Sequence, residues 1–224
     1  MNNADFPMRI NKYLARQNYS TRKGGDELVK NKKVTINGKI AVLGDKVMAN
    51  DVVEVLKNKK AKAYFYFAYN KPKGIVTQQK EKKGVWPIGR LDKDSQGLMI
   101  LTDDGRITDR LLNPDYTHDK EYVVTTTQKL RPNFKQKMES GVNIEGYLTR
   151  KCVVQIINDF TFKITITEGK KHQIRRMLSA LFNEVKDLKR TRIMNIHLGN
   201  LAPGASRVIE GEELSIFLAG LQLQ

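Results

Sequence analysis

A dense run of polar and charged side chains occupies residues 89–98, which read GRLDKDSQGL. Asp92 lies in this run, just before the apolar stretch 97–102 (GLMILT), which is typical of a buried strand. A loop that leads into a rigid strand is a place where a scaffold presents a functional side chain. Asp92 is therefore a candidate for chemistry, although an aspartate in such a loop more often serves to form a turn.

The same run has the spacing of a calcium loop. Asp92, Asp94, Gln96, Gly97 and Asp103 occupy positions that correspond to 1, 3, 5, 6 and 12 of that loop. The match fails where calcium needs it most, because position 5 is a glutamine and position 12 lacks the bidentate glutamate. Strand-like residues also fill the second half of the loop, so the sequence does not favour a calcium site.

Other metal and cofactor motifs are missing from the sequence. His118, His172 and His197 are widely separated and have no carboxylate or cysteine at ligand spacing. Cys152 is the only cysteine, which excludes an internal disulfide and a cysteine-based zinc site, and its apolar neighbours predict a buried packing role. There is no glycine-rich phosphate loop. We therefore expect neither a metal nor a cofactor.

The charge of the chain points to a polyanionic partner. Lys and Arg number 40 against 24 Asp and Glu, a net charge of +16, while 40% of the residues are hydrophobic, as in a globular protein. The first 63 residues contribute 14 basic and 6 acidic side chains, half of the net charge. Neutralising phosphates releases condensed counterions, so nucleic acid is favoured over a merely soluble basic protein.

Nothing in the sequence indicates a membrane or export. Residues 1–8 include Asp5 and lack the apolar core of a signal peptide. No stretch approaches the ~18 consecutive apolar residues of a membrane helix. We expect a cytoplasmic protein that does not bind membranes and, since no apolar stripe demands a partner, a monomer.

A basic segment divides the sequence into two predicted domains. Residues 57–63 (KNKKAKA) have nothing to bury and read as a linker between a domain at 1–56 and a domain at 64–224. In the first domain, the spacing of Ile10, Leu14 and Gln17 predicts one helix, and Ser20 or Thr21 can cap a second helix that runs towards Lys30. Asn37-Gly38 predicts a hairpin after strand 34–36, and residues 52–55 predict a closing strand.

The second domain alternates strand-like and helix-like stretches. We predict strands at 64–69, 97–102 and 121–127, and a hairpin formed by 153–157 and 160–167. Short helices are predicted at 107–112 and 173–182. Long β pairings with a few inserted helices indicate an α+β domain.

The first domain resembles the αL RNA-binding domain first known from a small-subunit ribosomal protein. The resemblance rests on residues 9–15 (RINKYLA), 20–23 (STRK), 34–39 (VTINGK) and 44–47 (GDKV). Gly24 and Gly25 stand where the family usually has helix-forming residues, and each glycine costs about 1 kcal/mol of helix stability. This predicts a second helix that is less stable or begins later. The resemblance implies that basic residues of this domain bind RNA, and a solvated helix face is the alternative interpretation of their charges. The basic residues concerned are Arg9, Lys12, Arg16, Arg22, Lys23, Lys32 and Lys33.

The second domain resembles a pseudouridine synthase family, the branch that carries an αL domain and modifies ribosomal RNA. Three ordered segments carry this resemblance, residues 89–105 (GRLDKDSQGLMILTDDG), 120–124 (KEYVV) and 168–178 (EGKKHQIRRML). Residues 70–74 (NKPKG) and 189–196 (KRTRIMNI) also fit, so the resemblance covers nearly the whole chain. The sequences of these segments are most similar to those of the large-subunit synthase F group. It implies a mixed, mainly antiparallel sheet flanked by helices.

The family implies a role for three residues. Asp92 matches the essential carboxylate, which either attacks the sugar or takes its 2′ proton. Arg175 matches a basic partner that would hold this carboxylate charged and oriented, with a phosphate contact as the alternative. Tyr122 matches an active-site tyrosine that would stack on a flipped uracil, although core packing is the simpler interpretation of an aromatic in a strand.

Further basic residues are expected to contact RNA near these three: Arg90, Lys171, His172 and Arg176. The implied activity is the isomerisation of a uridine in 23S ribosomal RNA, free or in an assembly particle, without a cofactor. Two alternatives stay open: the same chemistry on 16S ribosomal RNA or transfer RNA, and a non-catalytic RNA-binding or ribosome-assembly protein.

Overall fold

The structure is a computed structural model that describes residues 6–17, 19–56, 63–77 and 84–223. The predicted linker at 57–63 lies outside the described residues except for Ala63. The chain divides into two compact units, one of Met1–Tyr64 with Asp104–Ile107 and one of Phe65–Asp103 with Thr108–Gln224. The domain limits expected from the sequence remain a prediction.

Among the described residues up to position 56, the first unit contains two short helices and five short strands. In chain order they are β1 (Met8–Arg9), α1 (Ile10–Arg16), α2 (Arg22–Lys30), β2 (Val34–Ile36), β3 (Lys39–Ile40), β4 (Lys46–Val47) and β5 (Val53–Val55). Strands pair antiparallel as β3-β2-β5 and as β1-β4. The predicted hairpin is present, with Asn37 and Gly38 at φ 50° and 76°, the left-handed conformation that this turn requires.

The second helix begins at Arg22 and includes both glycines, so the expectation of a later start is wrong. Thr21 caps it, because its side-chain oxygen accepts a hydrogen bond from the Gly24 amide at 3.0 Å. A Cβ on Gly25 would lie 3.2 Å from the Asn11 Cα. Gly25 therefore allows the two helices to approach closely over a core that includes Leu14 and Val29.

The second unit contains the remaining strands and helices. Its strands are β6 (Tyr66–Lys71), β7 (Trp86–Ile88), β8 (Gln96–Thr102), β9 (Lys120–Thr126), β10 (Asn143–Ile144), β11 (Tyr147–Leu148), β12 (Val153–Asn158), β13 (Thr161–Ile166), β14 (Val185–Ile193), β15 (Ile196–His197) and β16 (Ser206–Val208). Helix α3 (Arg106–Leu112) has its first two residues in the first unit and the others in the second. The other helices of the second unit are α4 (Phe134–Glu139), α5 (Gln173–Ala180) and α6 (Gly211–Gly220), with a 3-10 turn at Pro114–Tyr116.

Within the described residues, nine of these strands form one sheet, in the order β12-β13-β9-β14-β8-β6-β16 with β7 beside β8 and β15 beside β14. Among the strand pairs of the described residues, β14–β8 alone is parallel. The predicted α+β class, with a mixed and mainly antiparallel sheet, is confirmed. No helix in the described part of the chain is long and apolar enough to cross a membrane.

Helix α5 covers one face of this sheet. Ile174, Met177 and Leu178 of α5 are buried in the same cluster as Val124 of β9 and Ile164 of β13. The amphipathic pattern of residues 173–182 predicted this helix, and burial of its apolar side fixes where α5 lies. The loop that precedes α5 is thereby held at the sheet.

Candidate active site

One row of residues crosses the sheet on the face that α5 covers. The register pairs Lys71 with Gly97, Gly97 with Arg190, Arg190 with Tyr122, and Tyr122 with Ile164. Register partners in adjacent strands point to the same face. Two of the three predicted catalytic residues lie near this row. Tyr122 belongs to it, and Asp92 lies four residues before Gln96, where β8 begins.

Gly97 is required by a close approach of two strands. Its φ is 108°, and a Cβ on it would lie 2.3 Å from the Arg190 carbonyl oxygen. The Arg190 side chain is 5% exposed, and its Nε donates to the Leu98 carbonyl at 2.6 Å. A side chain at position 97 would separate β8 from β14.

The loop that carries Asp92 is fixed by hydrogen bonds to its backbone amides and carbonyls. Its own turn closes through the Ser95 amide, which donates to the Asp92 carbonyl at 3.0 Å. Thr77 Oγ1 accepts from the Leu91 amide at 3.2 Å and donates to the Leu91 carbonyl at 2.9 Å. The Gly74 amide donates to the Lys93 carbonyl at 2.8 Å. Asp92 therefore forms a turn and is also presented by a rigid loop.

Lys71 lies beneath this loop and is 1% exposed. Its Nζ donates to the carbonyls of Pro72 at 3.0 Å and Ile75 at 2.6 Å, and more weakly to that of Lys93 at 3.5 Å. Burial lowers the pKa of Lys71, while the negative charges of Asp92 and Asp94 act in the opposite direction. Lys71 thus joins the segment after β6 to the Asp92 loop.

The Asp92 carboxylate meets a histidine and not the arginine that the sequence suggested. His172 Nε2 lies 3.3 Å from Asp92 Oδ1, and the two side chains are 48% and 39% exposed. Arg175 Nη2 instead donates to the Asp94 carbonyl and to Ser95 Oγ, each at 3.2 Å. Arg175 therefore holds the turn that carries Asp92, whereas His172 contacts the carboxylate itself.

Tyr122 is 8% exposed and belongs to the core cluster that includes Leu91 and Ile174. Both interpretations of Tyr122, core packing and substrate contact, are compatible with this burial. Lys120, two residues earlier on the same face of β9, donates from Nζ to the His118 carbonyl at 3.0 Å. Burial, and to a smaller extent the charge of Arg190, lower the pKa of Lys120 to about 8, while Asp119 acts in the opposite direction.

The structure differentiates the basic residues expected near the site. Arg90, Lys171 and His172 are exposed. Arg176 is engaged within the protein, because its Nη2 donates to Glu145 Oε2 at 2.6 Å and to the Ile144 carbonyl at 3.4 Å. Contact of Arg176 with RNA would require it to leave or share this ion pair.

The basic residues predicted to bind RNA in the first unit lie mostly at its surface. Five of them are exposed and two are partly buried. The exposed residues are Arg9, Lys12, Arg22, Lys23 and Lys32, and the partly buried ones are Arg16 and Lys33. Exposed cations of this kind can reach phosphates without a change in the fold.

The calcium-loop interpretation is wrong. The residues after Asp94 form strand β8, which extends from Gln96 to Thr102 and carries Asp103 away from Asp92. In the described part of the chain, no three His, Cys, Asp or Glu side chains form a group that could hold a metal ion. Cys152 is buried as expected, and burial raises the pKa of its thiol to about 11.

Three buried polar residues of the site region were not predicted as site residues: Lys71, Glu168 and Arg190. All three lie within segments whose sequences resemble those of the family. This resemblance was the only feature of the sequence that could have identified them as site residues. Residue type alone would place a lysine, a glutamate and an arginine at the surface.

Two family models match this chain. The model described as RNA pseudouridylate synthase matches residues 65–180, and the S4 domain model matches residues 8–53. The first match covers more than half of the chain. The chain belongs to the RNA pseudouridylate synthase family and is a pseudouridine synthase with an S4-type RNA-binding domain.

Curated relatives and a solved structure agree with this assignment. The dual-specificity RNA pseudouridine synthase RluF of Escherichia coli strain K12 is 38% identical, over 94% of this chain and 78% of that protein. The ribosomal large subunit pseudouridine synthase B of Bacillus subtilis strain 168 is 31% identical, over 92% and 93%. A crystal structure of a pseudouridylate synthase superposes with a TM-score of 0.69 at 28% identity, covering 93% of this chain and 98% of that one. The expected similarity to the synthase F group is confirmed.

Proposed function

We propose that this protein converts a specific uridine of 23S ribosomal RNA into pseudouridine, with Asp92 as the essential carboxylate. The name of one relative supports this substrate, since it is a ribosomal large subunit pseudouridine synthase, and so does the similarity of the motifs to the large-subunit synthase F group. The observation that carries the proposal is the Asp92 carboxylate, 39% exposed on a fixed turn and paired with His172 at 3.3 Å. An accessible carboxylate on a rigid loop fits a reaction that needs a positioned anion.

The reaction needs no second substrate. The bond between the sugar C1′ and uracil N1 breaks, the base rotates, and a new bond joins C1′ to C5 of the same base. The proton on C5 is lost and N1 ends with a proton, so the product is an isomer of the substrate. Asp92 either attacks C1′ or removes the 2′ proton. Both routes need the carboxylate in its ionised form.

The remaining site residues act on the base and on the orientation of Asp92. Tyr122 is proposed to stack on the flipped uracil, with its hydroxyl near the C5 proton. Arg175 is proposed to orient Asp92, and the contacts that support this role are its hydrogen bonds to the Asp94 carbonyl and Ser95. Arg175 thus acts through the turn and not through an ion pair with the carboxylate.

RNA binding is proposed to combine both units. The target uridine must leave its stack, which costs a few kcal/mol, and contacts with phosphates can offset this. Arg90, Lys171 and His172 are exposed beside Asp92 in sequence or in space and are candidates for these contacts, as are the exposed cations of the S4 domain. Arg176 is a weaker candidate because it already forms an ion pair with Glu145.

The test is tritium release from ribosomal RNA labelled at C5 of uridine, with Asp92→Asn and Asp94→Asn compared with wild type. Asp94 is an exposed carboxylate two residues away, and its backbone carbonyl, which Arg175 contacts, is retained in the variant. We expect Asp92→Asn to abolish turnover while RNA affinity stays within a few-fold, and Asp94→Asn to remain active. Retained turnover in Asp92→Asn would contradict the mechanism.

The substrate proposal is tested with the same assay on other RNAs. Release from 16S ribosomal RNA or transfer RNA alone would replace 23S ribosomal RNA as the substrate. Release only from a ribosome assembly particle would identify that particle as the substrate. No release from any of them would favour a non-catalytic RNA-binding protein. We further propose that the enzyme acts in the cytoplasm as a monomer, and light scattering on a sizing column tests the oligomeric state.

A further inference from the structure

We propose that Glu168, held by Tyr147, is a positioning residue that fixes the loop 168–172 so that His172 meets the Asp92 carboxylate. This inference rests on the proposed function and deepens it. Glu168 itself has no contact with Asp92, so its effect on the reaction passes through the loop.

Glu168 is a buried carboxylate with three donors around it. It is 3% exposed, and its Oε1 accepts from the Arg150 amide at 3.0 Å and from Gln173 Nε2 at 2.6 Å. Its Oε2 accepts from the Tyr147 hydroxyl at 2.5 Å. A buried carboxylate with full hydrogen bonding is held in one orientation, because losing a partner would leave an unpaired charge.

Gln173 transmits this orientation to the loop. It is 4% exposed, and its side-chain Oε1 accepts from the Lys170 backbone amide at 2.9 Å. The backbone amide of Gln173 donates to the Lys170 carbonyl at 3.1 Å. The Gln173 side chain therefore links the Glu168 carboxylate to the backbone amide of Lys170. Between these fixed points lie Lys171 and His172.

The backbone of His172 shows why the loop needs such support. Its φ of 53° places it in the left-handed region, which a residue with a Cβ rarely adopts. Conformations of this kind persist when the surroundings hold them. The hydrogen bonds on Lys170 and the start of α5 at Gln173 hold His172 on both sides, which directs its side chain to Asp92.

Tyr147 brings a second element to the loop. It belongs to the hairpin of β10 and β11, and Lys170 Nζ lies 4.8 Å from the centre of its ring. The same hairpin holds α5 through Glu145, which pairs with Arg176 at 2.6 Å. The hydrogen bond to Glu168 raises the pKa of Tyr147, so its hydroxyl keeps the proton that it donates. The hairpin thus grips both the loop and the first turns of α5.

Tyr147→Phe is the main test, because it removes one hydroxyl, keeps the ring beside Lys170 and leaves the buried carboxylate in place. We expect kcat for pseudouridine formation to fall about ten-fold with KM and RNA affinity within about two-fold, since a displaced reacting geometry lowers turnover more than binding. Thr161→Val is the matched control. It also removes one hydroxyl, from a 3.4 Å contact with Thr125 at the β13–β9 pair, and should leave kcat unchanged.

A double variant separates positioning from general damage to the fold. If Tyr147 acts through His172, its removal in a His172→Ala background should lower kcat by less than about two-fold more. Glu168→Gln keeps the shape and two acceptor contacts, so it should retain more activity than Glu168→Ala. Hydrogen exchange of the Lys170 amide should accelerate in Tyr147→Phe and stay unchanged in Thr161→Val.

Two results would overturn the inference: wild-type kcat in Tyr147→Phe, or an effect of Tyr147→Phe that multiplies fully with that of His172→Ala. The wild-type enzyme separates this failure from failure of the proposed function. An inactive wild type contradicts the proposed function, whereas an active wild type with an equally active Tyr147→Phe variant contradicts only the role of Glu168.

Discussion

The two units of this protein use their cations in different ways. In the S4-type unit, basic side chains such as Arg22, Lys23 and Lys32 are exposed. In the synthase unit, three cations on the site face of the sheet are largely withdrawn from solvent: Lys71 and Arg190 are 1% and 5% exposed, and Lys120 is partly buried. The same residue types therefore face two different environments.

The difference separates two kinds of electrostatic effect. An exposed cation binds a phosphate by releasing counterions, so its contribution depends strongly on salt. A buried cation is screened little by salt, and its removal leaves unpaired carbonyl groups or changes the charge of the interior. We expect changes in the first unit to alter RNA affinity and changes in the second unit to alter stability and turnover.

The largest effect is expected for Lys71→Met. Loss of the ammonium leaves the carbonyls of Pro72 and Ile75 without their donor, so the free energy of unfolding should fall by about 2–4 kcal/mol, measured by urea denaturation. Turnover should fall as well because Lys71 supports the Asp92 loop. Lys73→Met is the matched control two residues away. Its ion pair with Asp187 is 47% and 36% exposed, and we expect a change of about 0–1 kcal/mol. Equal effects in the two variants would contradict the comparison.

Lys120 gives a prediction about pH. Its pKa is about 8 in the folded protein, against 10.5 for an ordinary lysine, so between these values the unfolded chain binds more protons than the folded protein. The free energy of unfolding contributed by Lys120 should therefore rise between pH 8 and 10.5, by on the order of 3 kcal/mol. The measurement is denaturation across this range for wild type and Lys120→Met. Exposed Lys151→Met controls for the loss of one charge, and a wild-type slope in Lys120→Met would show that the lysine is not held in a buried environment.

The smallest effect is expected for the exposed cations. Arg22→Gln with Lys23→Gln should weaken RNA binding by about two- to five-fold and reduce the slope of log affinity against log salt by about 1–2, with kcat unchanged. Lys135→Gln with Lys137→Gln removes the same charge from exposed positions on α4 and serves as control. An equal loss of salt dependence in both double variants would mean that net charge, and not the S4-type surface, determines binding.

The elements that the sequence predicted are those with a strong local pattern. Helices α1, α2 and α5, the Asn37-Gly38 hairpin and the apolar strand β8 all appear within a few residues of their expected limits. The helices α4 and α6 and the strand β14 were not predicted. Strand β14 reads VKDLKRTRI and lacks strand alternation, yet it lies between β9 and β8. Its charges are paired by distant residues, such as Asp119 with Arg192 at 2.6 Å, which no local pattern can show.

The candidate site shows the same division. Resemblance between motifs selected Asp92, Tyr122 and Arg175, and the structure brings the first and third motifs together. It did not identify which cation reaches the carboxylate. The contact of His172 with Asp92 depends on a left-handed backbone at residue 172 and on the network around Glu168, so it arises from several segments at once.

The two-part organisation, the α+β class, the excess of positive charge that favours RNA and the family can all be read from the amino-acid sequence. These depend on composition, on the order of motifs and on periodic patterns within short segments. The burial of Lys71 and Arg190, the need for Gly97 beside Arg190 and the contact of His172 with Asp92 are visible in the folded protein alone. Each of these follows from the register of distant strands and from the packing of α5, which bring together residues far apart in the chain.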